Sequence, residues 1–119
     1  MSASPQDLLR EAETRLERLA ADAQDGRLDP AIELLVAALR DGGVIQAFGT
    51  GHSEAFAMEI AGRAGGLIPT NRIALRDIVL HGERSADVLT GSLEREPSVV
   101  DELMAVPPVT ANDGFVIAS

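Results

Sequence analysis

The run Gly49-Thr50-Gly51-His52-Ser53 has the residue types and spacing in this chain best suited to chemistry. A loop between the carboxyl end of a strand and the amino end of a helix leaves several backbone N–H groups unpaired. Those donors and the helix dipole favour an anion, commonly a phosphate. Gly49 and Gly51 let the backbone approach a ligand with no side chain between. Thr50 and Ser53 add hydroxyl donors, and His52 lies inside the loop itself. A glycine loop also serves simply to reverse a chain, and a loop histidine to donate at a helix start, so both readings stand here. The loop is not a dinucleotide fingerprint, because Glu54 stands where a third glycine belongs and its carboxylate opposes a pyrophosphate. Nor is it a nucleotide P-loop: no Gly-Lys-Ser/Thr follows, and the chain has no lysine. A small monophosphorylated ligand remains.

The elements that must position this loop are legible on both sides of it. Val44-Ile45-Gln46-Ala47-Phe48 is too short for a helix and rich in strand formers, and it reads as a buried strand of a parallel sheet. Glu54 to Ala64 reads as the helix that follows, with Ala57, Ile60, Ala61 and Ala64 on its apolar face and Gly65-Gly66 ending it. Upstream, Ser4, Pro5 and Asp7 start an amphipathic helix through Leu8, Ala12, Leu16, Leu19 and Ala23, which covers a core or a dimer partner. A second helix starts at Asp29-Pro30, is apolar enough to be buried on several sides, and stops at Gly42-Gly43. Downstream, Thr70-Asn71-Arg72 and His81-Gly82-Glu83 are placed in loops. Ser98 caps a helix through Met104, Pro107-Pro108 breaks the chain, and Phe115 to Ala118 form a second buried strand. Met58 and Met104 are read as core filling. Helix, strand, glycine loop and helix in this order mark an α/β layered fold.

Composition narrows the classes. The chain has 119 residues, 45% hydrophobic and 24% charged, with a net charge of −9. All ten basic residues are arginine and none forms a basic block, so nucleic acid is not an expected partner. No apolar stretch approaches the roughly 20 residues needed to cross a bilayer, and the N-terminus lacks the apolar core of a secretion signal. No membrane association is expected and a cytoplasmic location is. With no cysteine there is no disulfide framework and no thiolate site. The two histidines and the scattered carboxylates show no metal-ligand spacing, so no metal and no cofactor is assigned.

The run from Phe48 through Ser53, followed by Met58-Glu59-Ile60-Ala61-Gly62-Arg63-Ala64-Gly65-Gly66-Leu67, resembles the first half of a SIS (sugar isomerase) domain. It is most similar to stand-alone SIS proteins with a GTGHS loop and a following RAGGL, and more distantly to phosphoheptose isomerases. The resemblance implies a three-layer, doubly wound parallel sheet preceded by two helices, a phosphorylated sugar as ligand, and a homodimer or higher homo-oligomer. The function it implies is phosphosugar binding, with aldose–ketose isomerisation as the reaction or a non-catalytic sensing role as the alternative. Gly49, Thr50, Gly51, His52 and Ser53 then belong to a first phosphate loop, and Ser119 sits where a second, Ser-x-Ser-Gly-like loop begins.

Isomerisation needs a base that moves a proton between adjacent carbons and acid assistance at the carbonyl. Glu59 is the leading carboxylate, because the resembled heptose isomerases carry a glutamate four residues before an arginine in this helix, as Glu59 and Arg63 do. The same spacing also makes an ordinary surface ion pair, worth about 0.3–0.5 kcal/mol. His52 and His81 complete the catalytic candidates, His81 from a loop near Glu83 where a solvated histidine is equally common. Residues 1–43 are thus expected as a helical lead-in and 44–119 as the start of the sheet. Two readable strands are few for a doubly wound fold, which usually has about five. The chain is therefore expected to be the N-terminal part of a single, longer domain.

Overall fold

A computed structural model describes residues 4–119. The chain divides into two compact units, one ending at Leu34 and the other spanning Leu35–Ser119. In the first, helix α1 runs from Pro5 to Gln24 and starts with a capping box. The Ser4 hydroxyl accepts from the Asp7 N–H at 3.2 Å, and the Asp7 carboxylate accepts from the Ser4 N–H at 3.0 Å. No residue of α1 is buried. Helix α2, Asp29–Arg40, begins in this unit. The sequence reads α2 as buried on several sides, but Ala38 alone is buried, while Ile32 and Leu34 are more than half exposed.

The second unit is a mixed α/β layer around a three-stranded parallel sheet of order β2-β1-β3. Strand β1 is Ile45–Gly49, β2 is Thr70–Ile73 and β3 is Gly114–Ala118. Between β1 and β2 lie a single 3₁₀ turn, Gly51–Ser53, and helix α3, Glu54–Ile60. Between β2 and β3 come helix α4, Asp77–Leu80, two 3₁₀ turns at Ala86–Val88 and Leu93–Arg95, and helix α5, Val99–Ala105. Among the described residues no helix is long and apolar enough to cross a membrane.

Four sequence expectations are corrected here. Thr70-Asn71-Arg72 is strand β2 and not a loop; its polar residues conceal it, because their partners come from other strands and helices. Helix α3 stops at Ile60, four residues short of Ala64, because Ala61 turns extended and Gly62 adopts φ +80. Met58 is exposed, and Met104 is only partly covered, so neither fills the core. Ser98 occupies the residue before α5 but its hydroxyl donates to Glu96 at 2.9 Å and caps no N–H.

Burial explains the arrangement. Strand β1 is central, so Ile45, Ala47 and Gly49 are buried, and the run reads apolar on both faces. One core cluster joins Ile73, Ile78, Leu93, Val99 and Leu103, with Phe48, Leu75, Val79 and Val88 packed against it. Around β3, Gly114 lies so close to Leu35, Ala38 and Ile45 that an added Cβ would meet all three at 3.3–3.4 Å. Gly42 takes φ +75 to end α2, as its place after the helix predicts.

A polar ladder crosses the sheet. Gln46, 2% exposed, donates from Nε2 to Asp113 at 2.8 Å and accepts at Oε1 from Asn71 Nδ2 at 2.8 Å. The Asp113 carboxylate also accepts from the Val44 N–H at 2.9 Å and from the Thr110 N–H and hydroxyl at 3.2 and 3.0 Å. The Gln46 hydrogen bond, then that of the Val44 N–H, holds the Asp113 carboxyl down at about 2 from an ordinary 3.8. Because its folded pKa is the lower one, the ionised carboxylate contributes stability in full above about pH 4. That contribution is lost as pH falls toward 2. Thermal unfolding of the wild type is expected to show this acid limb and of Asp113→Asn to flatten it; identical slopes for the two proteins between pH 4 and 2 would remove Asp113 from the account.

Candidate functional site

The parallel register brings the carboxyl ends of all three strands to one edge. Gly49 pairs with Ala118, so Thr50 and Ser119 each lie one residue past a matched pair. Strand β1 connects to β2 on one side and has β3 on the other, so the order β2-β1-β3 makes the β1/β3 boundary a topological switch point. Ligands of open α/β sheets bind in the crevice at such points.

A cavity of about 400 Å³ opens at the same carboxyl edge but between the loop after β1 and the segment after β2, with no β3 residue in its lining; Gly49, Thr50 and Gly51 line it together with Glu54, Arg76 and Glu94, and Leu75, Leu89 and Leu93 supply apolar wall. Its volume falls within the roughly 300–1,000 Å³ of small-molecule sites. Gly51 takes φ +55, a left-handed conformation suited to glycine. As the first residues of a helical turn, Gly51 and His52 have N–H groups with no acceptor one turn earlier. Gly49 has a further reason to be glycine: a Cβ there would collide with the Ser53 carbonyl. The bare backbone is thus required by the chain's own return, in addition to any ligand.

The charged wall is where tertiary structure adds most. Glu54 Oε1 lies 2.9 Å from Arg76 Nη2 and 3.4 Å from Arg72 Nη1. That oxygen is closed to solvent, and neither guanidinium is aligned to hydrogen-bond it. The sequence reads Glu54 as a carboxylate opposing an anion; in the fold its charge is turned to two arginines. Glu94 faces the loop from the other side, its Oε2 3.8 Å from where a Cβ on Gly51 would stand.

The sequence-predicted residues fall into separate places. Gly49, Thr50 and Gly51 line the cavity, while His52 is exposed and Ser53 half-buried without lining it. Ser119 is exposed beside the loop. Glu59 forms a 2.6 Å ion pair with Arg63, the two side chains 67% and 63% exposed, and does not line the cavity. His81 is exposed after α4 and lines a different hollow with Glu83 and Glu102. Sequence reasoning missed Arg76, Glu94 and the three leucines, which come from residues 75–94, a stretch without helical or strand periodicity.

That irregular stretch is held by a charged clamp. Arg84 donates to Glu102 through Nε at 2.8 Å and Nη2 at 2.7 Å, and Nη2 also reaches Glu96 at 3.3 Å. The Glu102 hydrogen bonds come first among the causes that raise the Arg84 pKa. The fork on Glu102 ties the cavity-forming segment to α5.

A family model for the SIS domain matches residues 8–119. Among curated proteins, a UPF0309 protein of Halalkalibacterium halodurans is 30% identical over 102 residues, covering 86% of this chain and 40% of that protein. A UPF0309 protein of Geobacillus sp. (strain WCH70) is 33% identical over 105 residues, covering 88% and 41%. One from Streptomyces coelicolor is 32% identical over 104 residues, covering 87% and 41%. The chain spans about 40% of the length of these relatives. No solved structure matches it.

Proposed function

The chain belongs to the SIS-domain family, and from that premise we propose that it binds a phosphorylated sugar in the cavity at the carboxyl edge of its sheet. The observation that carries this reading is the meeting of the Gly49–Gly51 backbone and Arg76 around one hollow of about 400 Å³. Loop N–H groups suit a phosphate, and the apolar wall with Glu54 and Glu94 suits the hydroxyls of a sugar body. Thr50, Ser53, His52 and Ser119 belong to the same proposal as flanking donors, and so does the homodimer that the family likeness implies.

Thermal shift with a panel of hexose and heptose phosphates tests it. At ligand concentrations about 100 times Kd the expected stabilisation is about 2.7 kcal/mol; no shift with any member of the panel rejects binding.

Two finer readings part at Glu59. Aldose–ketose isomerisation with Glu59 as base expects Glu59→Gln to abolish turnover while sugar-phosphate binding persists. A non-catalytic sensing role expects no turnover from the wild type and unchanged binding in Glu59→Gln. The exposed Glu59–Arg63 pair outside the cavity favours sensing.

A further inference from the structure

We infer that Arg76 is the side chain that grips the anionic group of the ligand, with Glu54 as its counter-charge. This rests on the phosphosugar reading and adds the residue that makes an anion acceptable in an acidic protein.

The net charge of −9 repels anions at long range. Helix α3 has only seven residues, so its dipole supplies little compensation at the loop. The loop itself offers neutral donors. A cation has to come from elsewhere, and Arg76 is the one positively charged residue lining the cavity among the described residues. It enters just past the carboxyl end of β2, from the turn between Ile73 and α4.

Glu54 shares its carboxylate between Arg72 and Arg76, so the cluster carries one positive charge in excess. Arg76 is 42% exposed and not aligned on Glu54, which leaves its planar fork of N–H donors free to turn to a phosphate. The walls of Leu75, Leu89 and Leu93 lower the local dielectric and strengthen that contact. Glu94 acts in the opposite sense, a carboxylate beside the loop that a phosphate must tolerate or displace. The ligand class that fits is a phosphate monoester on an uncharged, hydroxyl-rich body. A second anionic group would meet Glu94.

Calorimetric titration of the 119-residue chain with glucose 6-phosphate, fructose 6-phosphate, glucose and inorganic phosphate tests the assignment. Arg76→Gln is expected to weaken sugar-phosphate binding roughly 10- to 100-fold, the loss of a charged hydrogen-bond donor. Arg76→Lys, which keeps charge but not the fork, is expected to fall between. Glu94→Gln is expected to tighten binding about threefold, by removing a nearby like charge. The wild-type affinity is expected to drop with added salt more steeply than that of Arg76→Gln. Wild-type affinity retained in Arg76→Gln overturns the assignment and leaves the phosphosugar reading intact. If Arg76→Gln does not fold, unchanged affinity in both Arg76→Lys and Glu94→Gln has the same consequence. A wild type that binds neither of these nor any other member of the hexose and heptose phosphate panel overturns both, and inorganic phosphate bound as tightly as the sugar phosphates overturns the sugar body as part of the ligand.

Discussion

Gln46→Leu is expected to destabilise the protein by about 2–4 kcal/mol, although leucine is the more apolar residue at a buried position of the central strand. The amide of Gln46 bridges Asp113 and Asn71, each at 2.8 Å. Leucine removes both bonds; the Asn71 amide is left facing an apolar side chain, an unsatisfied group of the kind that costs roughly 1–3 kcal/mol, while the Asp113 carboxylate keeps only its bonds from Val44 and Thr110. Burying one more apolar side chain offsets part of this. The Asp113 carboxylate also loses the hydrogen bond that contributes most to its low pKa, so the acid limb of the stability curve weakens as well. Urea denaturation is the measurement. A loss below about 0.5 kcal/mol, the scale of an ordinary surface substitution, would mean that the ladder does not hold the sheet together. The double variant Gln46→Leu/Asn71→Leu is expected to recover part of the loss, because it removes one orphaned partner.

Gly49→Ala is expected to damage fold and site together. The added methyl would overlap the Ser53 carbonyl, a backbone group that cannot rotate aside. Relief requires the 3₁₀ turn Gly51–Ser53 to move off the end of β1, and with it the loop that lines the cavity. Overpacking of this kind costs about 1–3 kcal/mol, and the same movement is expected to abolish the thermal shift proposed for sugar phosphates. Gly51→Ala makes the control. Its methyl would come no closer than 3.8 Å to Glu94, so its penalty is confined to the left-handed backbone at φ +55, about 1–2 kcal/mol. Wild-type stability together with intact ligand stabilisation in Gly49→Ala would show that the loop is held by something other than this close approach.

Much of this architecture was readable from local pattern. The capping box at Ser4 and Asp7 stands where the residues place it. Strands β1 and β3 lie within one residue of the expected bounds, and the glycine loop opens at the carboxyl end of β1, but β3 is an edge strand with Phe115 and Ile117 exposed and not the buried strand expected. Each of these signals is local, a side chain bonding to backbone three residues away or a run of strand formers between glycines. Strand β2 left no such signal. Thr70, Asn71 and Arg72 look like loop residues because their satisfaction is remote: Asn71 bonds to Gln46, 25 positions away, and Arg72 faces Glu54. The end of α3 was missed for a related reason. The alanines after Ile60 have high helix propensity, yet Gly62 turns to positive φ and the chain leaves for β2.

Sequence by itself determined the α/β class and the place of the loop, and raised an anion as its expected ligand, since strand periodicity, glycine freedom and unpaired N–H groups follow from residue type and short spacing. Tertiary structure alone decided which charges face that loop. Glu54 looked opposed to an anion, and Glu59 looked like the carboxylate to follow. The fold pairs Glu54 with Arg72 and Arg76, leaves Glu59 in an exposed ion pair, and brings Glu94 from 40 residues beyond Glu54 to the mouth. The reason is physical: electrostatic interaction depends on distance and burial through space, and the crossing of β2 beside β1 sets both for residues far apart in the chain.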